Sequence, residues 1–245
     1  MRVSARALAG LGAVALALGN LGRLPGGILG GRAAPVVAID LVVALVWLVL
    51  ALGLISGRVQ IVVDDLVKAT ALFVAVAAVS TVLGISRYGL GVVGGLGVAA
   101  FLVRWVAYFG WYLFLVWCLT PDESRDAWRY VEWALLAFAV FGVLQSAFMP
   151  GFAQMVQSMP EFPTWDMQGR RLVSTMLDPN FAGILVVLAL LPRLARVAEG
   201  LRERWEILAV LVVAVLLTVS RSSLLALAVG VGVIALARGL RMRLV

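Results

Sequence analysis

PVVAIDLVVALVWLVLALGLIS, residues 35–56, carries a single charged side chain, Asp40, in twenty-two positions. About 20 consecutive apolar residues, wound as a helix, cross the hydrocarbon core of a bilayer. A core helix in a soluble domain needs no run of this length, so lipid is the solvent here. Moving outward from it, runs of similar character recur at 5–22, 66–84, 101–119, 128–148, 179–197, 206–220 and 222–237. The pattern predicts an all-α fold: a polytopic transmembrane helical bundle of about eight spans, forming one domain over residues 1–245.

Composition agrees. Of the 245 residues, 63% are hydrophobic and only 13% charged, against about half apolar in a soluble domain. The net charge is +7, and all 20 basic residues except Lys68 are arginine. A basic chain raises the question of nucleic acid. Here, however, the arginines stand at the ends of apolar runs, where membrane topology puts them, so no nucleic-acid partner is expected. Cys118 is alone inside an apolar run and there is no histidine. That leaves no disulfide, no cysteine metal site and no Ser-His-Asp set. No metal and no cofactor is expected.

Charge also orients the bundle. With the N-terminus in the cytoplasm, 13 of the 20 basic residues fall on cytoplasmic ends and loops, including Arg193, Arg196, Arg202, Arg204 and the tail Arg238, Arg241 and Arg243. This favours eight spans with both termini inside. The start, Arg2 and Arg6 before an apolar run, also suits a cleaved signal peptide. More spans follow, though, and no small-x-small cleavage site precedes Arg23. Residues 88–103, YGLGVVGGLGVAAFLV, test the count. A further crossing there would turn every later basic loop outward. Residues 88–100 are therefore read as an interfacial or re-entrant piece on the outer side. Gly91 and Gly95 have the spacing that permits close helix contact, and a flexible connection fits equally well. Thr120–Ala127, TPDESRDA, reads as a cytoplasmic connector. Glu132, one turn inside the fifth span, reads as a snorkelling side chain. The long external loop, residues 149–178, contains Pro150, Pro160, Pro163 and Trp165 and is expected to lie on the membrane surface.

Chemistry concentrates after that loop, in RRLVSTMLDPNFAG, residues 170–183. Asp178-Pro179 is a helix start, with Asp as N-cap and Pro at the first helical position. The amides and dipole of that N-terminus favour an anion, and Arg170 and Arg171 bring fixed positive charge to it. The plainer reading has Asp178 only capping and the arginines binding lipid headgroups. The second feature is LTVSRSS, residues 217–223. An arginine between two apolar runs is costly at membrane depth unless solvated or paired. By the same topology Arg221 lies on the same side as Arg171, and paired guanidinium forks suit phosphate oxygens. A tight turn with a snorkelling arginine is the alternative. Arg104 opens the fourth span, four residues before Tyr108, as a third candidate or as a helix anchor.

In order along the chain, Arg104 with Tyr108, Phe141-Gly142-Val143-Leu144-Gln145, Arg171-x-x-Ser174-Thr175-x-x-Asp178-Pro179-Asn180, and Leu217-Thr218-x-Ser220-Arg221 resemble the O-antigen ligase and polymerase superfamily of bacterial envelope glycan proteins. The resemblance covers roughly residues 65–237. It implies a multi-pass plasma-membrane protein that handles a glycan on an undecaprenyl diphosphate carrier at the outer face. It also implies that Arg171 and Arg221, with Arg170 beside them, engage the diphosphate, and that Ser174, Asp178, Asn180, Ser220 and Arg104 line the site. Two departures stand out. Ser174 occupies the family's usual glycine position. The family's general base, a histidine on a second large external loop, has no counterpart in a chain without histidine that ends at Val245. The chain thus matches the first half to two-thirds of a family member, and the catalytic base is unassigned. Glu161 and Asp166 are the nearest acids. Other assembly proteins are expected partners of such a chain, besides membrane lipid. A non-catalytic carrier-binding subunit is the second reading. A small-molecule transporter is the third, and it lacks the inverted repeats such folds show.

Overall fold

The computed structural model describes residues 2–23, 36–157 and 170–243. The described residues are helical throughout their ordered elements, with one isolated bridge, Arg23 to Val37, and no strand. The helices are α1 (Arg2–Leu18), α2 (Ala38–Ile55), α3 (Asp65–Arg87), α4 (Val92–Cys118), α5 (Pro121–Phe148), α6 (Phe152–Gln157), α7 (Pro179–Ala198), α8 (Trp205–Leu217) and α9 (Arg221–Arg243). Short 3₁₀ turns cover Gly19–Gly22 and Ser174–Met176. Among the described residues seven helices are long and apolar enough to cross a membrane. The chain is an all-α, multi-pass membrane protein.

Three expectations are corrected. The Gly-rich stretch 88–100 is not a separate interfacial or re-entrant piece. From Val92 onward it is the first part of α4, a continuous helix of 27 residues. Only residues 88–91 turn, with Gly89 at φ +59. The glycines at 94, 95 and 97 lower helix propensity by about 1 kcal/mol each, but backbone hydrogen bonds have no competitor in lipid, so the helix persists. Second, the seventh expected span is short. α8 has 13 residues, about 20 Å, against the roughly 30 Å of a hydrocarbon core. Third, Thr120–Ala127 is no loop. Thr120 Oγ1 accepts from the Glu123 amide at 3.4 Å, and Glu123 Oε2 accepts from the Thr120 amide at 2.9 Å. This is a capping box with Pro121 at the first helical position, and the mixed charges that follow form the first turns of α5.

The chain divides into two compact units. The first contains Met1–Gly12 and Arg23–Trp128, the second Ala13–Gly22 and Arg129–Val245. In the first, α2 and α3 pack on α4. The Arg104 guanidinium, deep within α4, grips Asp40 of α2 with Nε and a terminal nitrogen at 3.1 and 2.6 Å, and the Tyr108 hydroxyl donates to the same carboxylate at 2.8 Å. One turn further on, Tyr112 donates to Asp64, the N-cap of α3. A membrane-embedded arginine thus has its counter-ion on a neighbouring helix, which lowers the cost of its burial.

In the second unit α7 is the central helix, packed along α9 and α8. Its buried face, Ala182, Val186, Val187 and Leu190, meets Leu211, Ala214 and Val215 of α8 and Leu135, Phe138 and Ala139 of α5. Lipid offers no hydrophobic drive between helices, so association there rests on close packing and small residues. Two glycines make the α7–α9 approach possible. A Cβ on Gly183 would lie 2.2 Å from Ser223 Oγ, and one on Gly230 would lie 2.5 Å from Leu191 Cδ1. Toward its C-terminus α7 carries Arg193 and Arg196, each bonded to both Glu132 of α5 and Glu203. Glu132 is therefore a buried ring partner, not a snorkelling side chain. Its carboxylate neutralises two arginines of the basic cluster that the charge pattern assigns to the cytoplasmic side.

Candidate functional site

At the N-terminal end of α7 the segment 170–178 is fixed from three sides. On the first, Leu172 is fully buried and fills the space left by Gly142 of α5, where a Cβ would come within 2.8 Å of the leucine. Next to it the Gln145 side-chain oxygen accepts the amides of Val173 and Ser174, each at 3.3 Å, and the Ser174 hydroxyl donates to the Phe138 carbonyl at 2.8 Å. On the second side the Thr175 hydroxyl donates to the Ala17 carbonyl at 2.5 Å, and the Asn20 amide donates to the Met176 carbonyl at 2.6 Å. The third side is the end of α8. The Leu172 amide donates to the Leu217 carbonyl at 2.9 Å, and Arg171 donates through Nε to the Thr218 carbonyl at 2.8 Å and through a terminal nitrogen to the Val219 carbonyl at 3.3 Å. Three successive carbonyls at the helix end, which have no partner within α8, are thus taken up by the 171–172 segment.

Asp178 caps α7 as the sequence predicts. Its Oδ1 accepts from the amides of Asn180 at 2.7 Å and Phe181 at 3.3 Å. The start of α9 joins the same place. Ser220 is fully buried; its hydroxyl donates to Asn180 Oδ1 at 3.0 Å and accepts from the Ser223 amide at 3.3 Å. The Ser222 and Ser223 hydroxyls lie 3.0 and 2.9 Å from that oxygen. The N-termini of two long helices, α7 and α9, therefore meet through a polar lattice, and Gly183 is the residue that leaves room for it.

The backbone here is strained. The non-glycine residues with left-handed φ among those described are Ser174 at 49°, Leu177 at 58° and Val219 at 49°, and all three belong to this site. Such conformations cost on the order of 1–3 kcal/mol each and persist where the surroundings over-determine them. The hydrogen bonds of Ser174 to α5 and the Arg171 clamp on the 218–219 carbonyls supply that determination. Strain of this kind clusters at functional sites.

The structure brings Arg171 onto the turn that leads into Arg221, and joins Asn180 directly to Ser220. Arg221 and Arg170 are exposed, and neither pairs with another described residue. Asp178 and Ser174 are buried parts of the scaffold rather than open groups. Arg104 belongs to the first unit, with Asp40 as its ion partner. Glu161 and Asp166 lie outside the described residues, as does the central part of the external loop. No group of acids or thiols able to hold a metal exists among the described residues. In the sequence Gly142 and Gln145 stand out only as part of the span end that carries the resemblance, and Gly183 carries no assigned role. The signal for Gln145 was present, since an amide inside an apolar span must be satisfied.

Two helix N-termini, two exposed arginines and a third arginine bonded to the turn between α8 and α9 gather at this junction, and its described acid, Asp178, is occupied in capping. Helix N-termini and guanidinium groups are the chemistry that suits phosphate oxygens. A scan of protein-family models, and searches of curated proteins and of solved structures, gave no match to this chain.

Proposed function

We propose that this protein binds the diphosphate of a polyprenyl-linked glycan, of the undecaprenyl type, and takes part in transferring or polymerising envelope polysaccharide at the outer face of a bacterial plasma membrane. The observation that carries the reading is the clamp of Arg171 on the Thr218–Val219 turn, which leaves Arg221 exposed on the same turn and Asn180 bonded to Ser220. In a glycosyl transfer the carrier diphosphate is the leaving group. Guanidinium and helix-terminal dipoles aimed at it stabilise charge where it develops. No nucleotide sugar or metal enters this scheme.

A second reading has its own observation. The chain contains no histidine, and the acid in the described site is a buried cap. On that reading the protein is a carrier-binding subunit, and the base on the acceptor comes from another chain. The two readings share one test of the site. In lipid nanodiscs, Arg221→Ala should weaken binding of a polyprenyl diphosphate glycan by about 10- to 150-fold, the equivalent of about 1.5–3 kcal/mol for a charge-assisted bond. Arg171→Ala should weaken it at least as much. Unchanged affinity in the Arg221 variant, which loses no internal contact, would remove the site assignment. Transfer activity by the chain alone would then select the first reading over the second.

A further inference from the structure

The C-terminal end of α2 closes in a Schellman turn. Ser56 caps the helix and Gly57 follows with a left-handed φ of +66°. The Gly57 amide donates to the Leu54 carbonyl at 3.1 Å, and the Arg58 amide donates to the Gly53 carbonyl at 2.9 Å. This pattern satisfies carbonyls that a helix end leaves without partners. It also folds the chain back on α2. Val59 is buried against Gly53, where a Cβ would lie 2.4 Å from Val59 Cγ2. The backbone of Arg58 is thereby fixed beside the last turn of α2. At the start of α5 the Thr120 amide and hydroxyl each donate to Glu123 Oε2 at 2.9 Å, which fixes that buried carboxylate.

Arg58 and Glu123 line one cavity of about 520 Å³ within the first unit. Sites for small organic ligands run from about 300 to 1,000 Å³. The walls are apolar, with Leu8 of α1, Val49 and Leu52 of α2 and Phe114 of α4. The charged lining comes from the turn after α2 and the start of α5. This is the profile of an amphiphile, a long apolar body with a polar head. The four helices that supply the lining are each long and apolar enough to cross a membrane. Leu52 lines the cavity and is also 57% exposed, so the cavity reaches the surface that lipid covers.

We infer that this cavity takes one acyl chain of a membrane glycerophospholipid, which enters past Leu52 and leaves its phosphate at Arg58. Apolar walls among spanning helices favour a ligand that arrives from the bilayer. A guanidinium group suits phosphate oxygens, and every glycerophospholipid headgroup carries a phosphate. The site lies in the first unit and does not depend on the diphosphate function proposed for the second.

The test reconstitutes the full chain in nanodiscs that contain a phosphatidylglycerol with a diazirine in one acyl chain. After illumination, mass spectrometry locates the adducts. Leu8 and Phe114 are buried, so adducts there require a chain inside the cavity. They should be labelled several-fold more than Val42 and Val46 of α2, which are buried but not in its lining. Arg58→Gln should lower that labelling several-fold. Val49→Trp, which fills the cavity, should bring it to the level of the two controls. Coupling a bulky maleimide to Cys118, the single thiol and a lining residue, fills the same space after folding and should do the same. Excess unlabelled phosphatidylglycerol should compete with the probe. Equal labelling of lining and control residues, or labelling that persists in the filled cavity, overturns the inference. Displacement by palmitate and not by phosphatidylglycerol overturns it in favour of a free fatty acid.

Discussion

Arg171 bonds the turn that leads into Arg221 and the two carry the same charge, yet the structure gives them different work. The Arg171 guanidinium holds the carbonyls of Thr218 and Val219 at 2.8 and 3.3 Å, whereas Arg221 is exposed and holds no described residue. Replacing Arg171 by Met keeps the stem and removes the fork. Two carbonyls at the end of α8 then lose their donors. Hydrogen bonds from a charged donor contribute about 1.5–3 kcal/mol each. One of the two is long and the side chain is half-exposed, so a combined loss of about 2–3 kcal/mol is expected. For a chain of this length each kcal/mol moves Tm by roughly 2–4 °C, which gives a fall of roughly 5–10 °C. Arg171→Lys should recover part of the loss, since an ammonium supplies one of the two bonds but not the fork. Arg221→Met should leave Tm within about 1–2 °C of the parent, the equivalent of the usual ±0.5 kcal/mol for a surface change. Intrinsic fluorescence of the eight tryptophans during heating in detergent reads all four proteins. Equal melting of the Arg171 and Arg221 variants would refute the clamp.

Three further substitutions test the surrounding scaffold. Gly183→Ala places a methyl 2.2 Å from Ser223 Oγ and 3.0 Å from Thr218 Oγ1; it should cost about 1–3 kcal/mol as overpacking, and ligand affinity should fall although no charge is altered, measured by melting and by binding in parallel. Ser174→Gly exchanges relief of a φ of 49° for loss of the hydroxyl bond to Phe138; the two effects are each about 1 kcal/mol and opposite, so Tm should move by no more than a few degrees. Glu132→Gln leaves Arg193, 7% exposed, with one carboxylate partner where it had two; breaking a buried pair costs about 3–5 kcal/mol, and the double variant Glu132→Gln, Arg196→Gln should recover part of that in the same melting assay.

The membrane-spanning character was legible from 35–56 and its repeats, because solvation of an unbroken apolar run has one outcome. Helix starts were legible where a side chain acts on its own backbone, as at Asp178-Pro179. Thr120-Pro121-Asp122-Glu123 carried the same kind of signal as a capping box, and its turn-forming composition hid it. The Gly-rich 88–100 was misread because propensity in water is a poor guide where no water competes for the backbone. The site was half legible. Arg171 and Arg221 were named from charge, and Asn180 and Ser220 through the resemblance, but Gly142 and Gly183 act through tertiary approach, and nothing local to them announces a partner 30 to 40 residues away. Glu132 and Arg104 look alike in sequence, each a lone charge in a span. Only the fold reveals that their counter-ions sit on other helices.

Recognition of a lipid-linked diphosphate at this junction, as proposed above, rests on its charge. The most direct measurement compares undecaprenyl diphosphate, undecaprenyl monophosphate and undecaprenol binding to the full chain in nanodiscs, at low and high salt. The diphosphate should bind most tightly, the alcohol at least about 10-fold more weakly, and salt should narrow the difference, as it does for partly exposed charges. Equal affinity for diphosphate and alcohol, unaffected by salt, would contradict it.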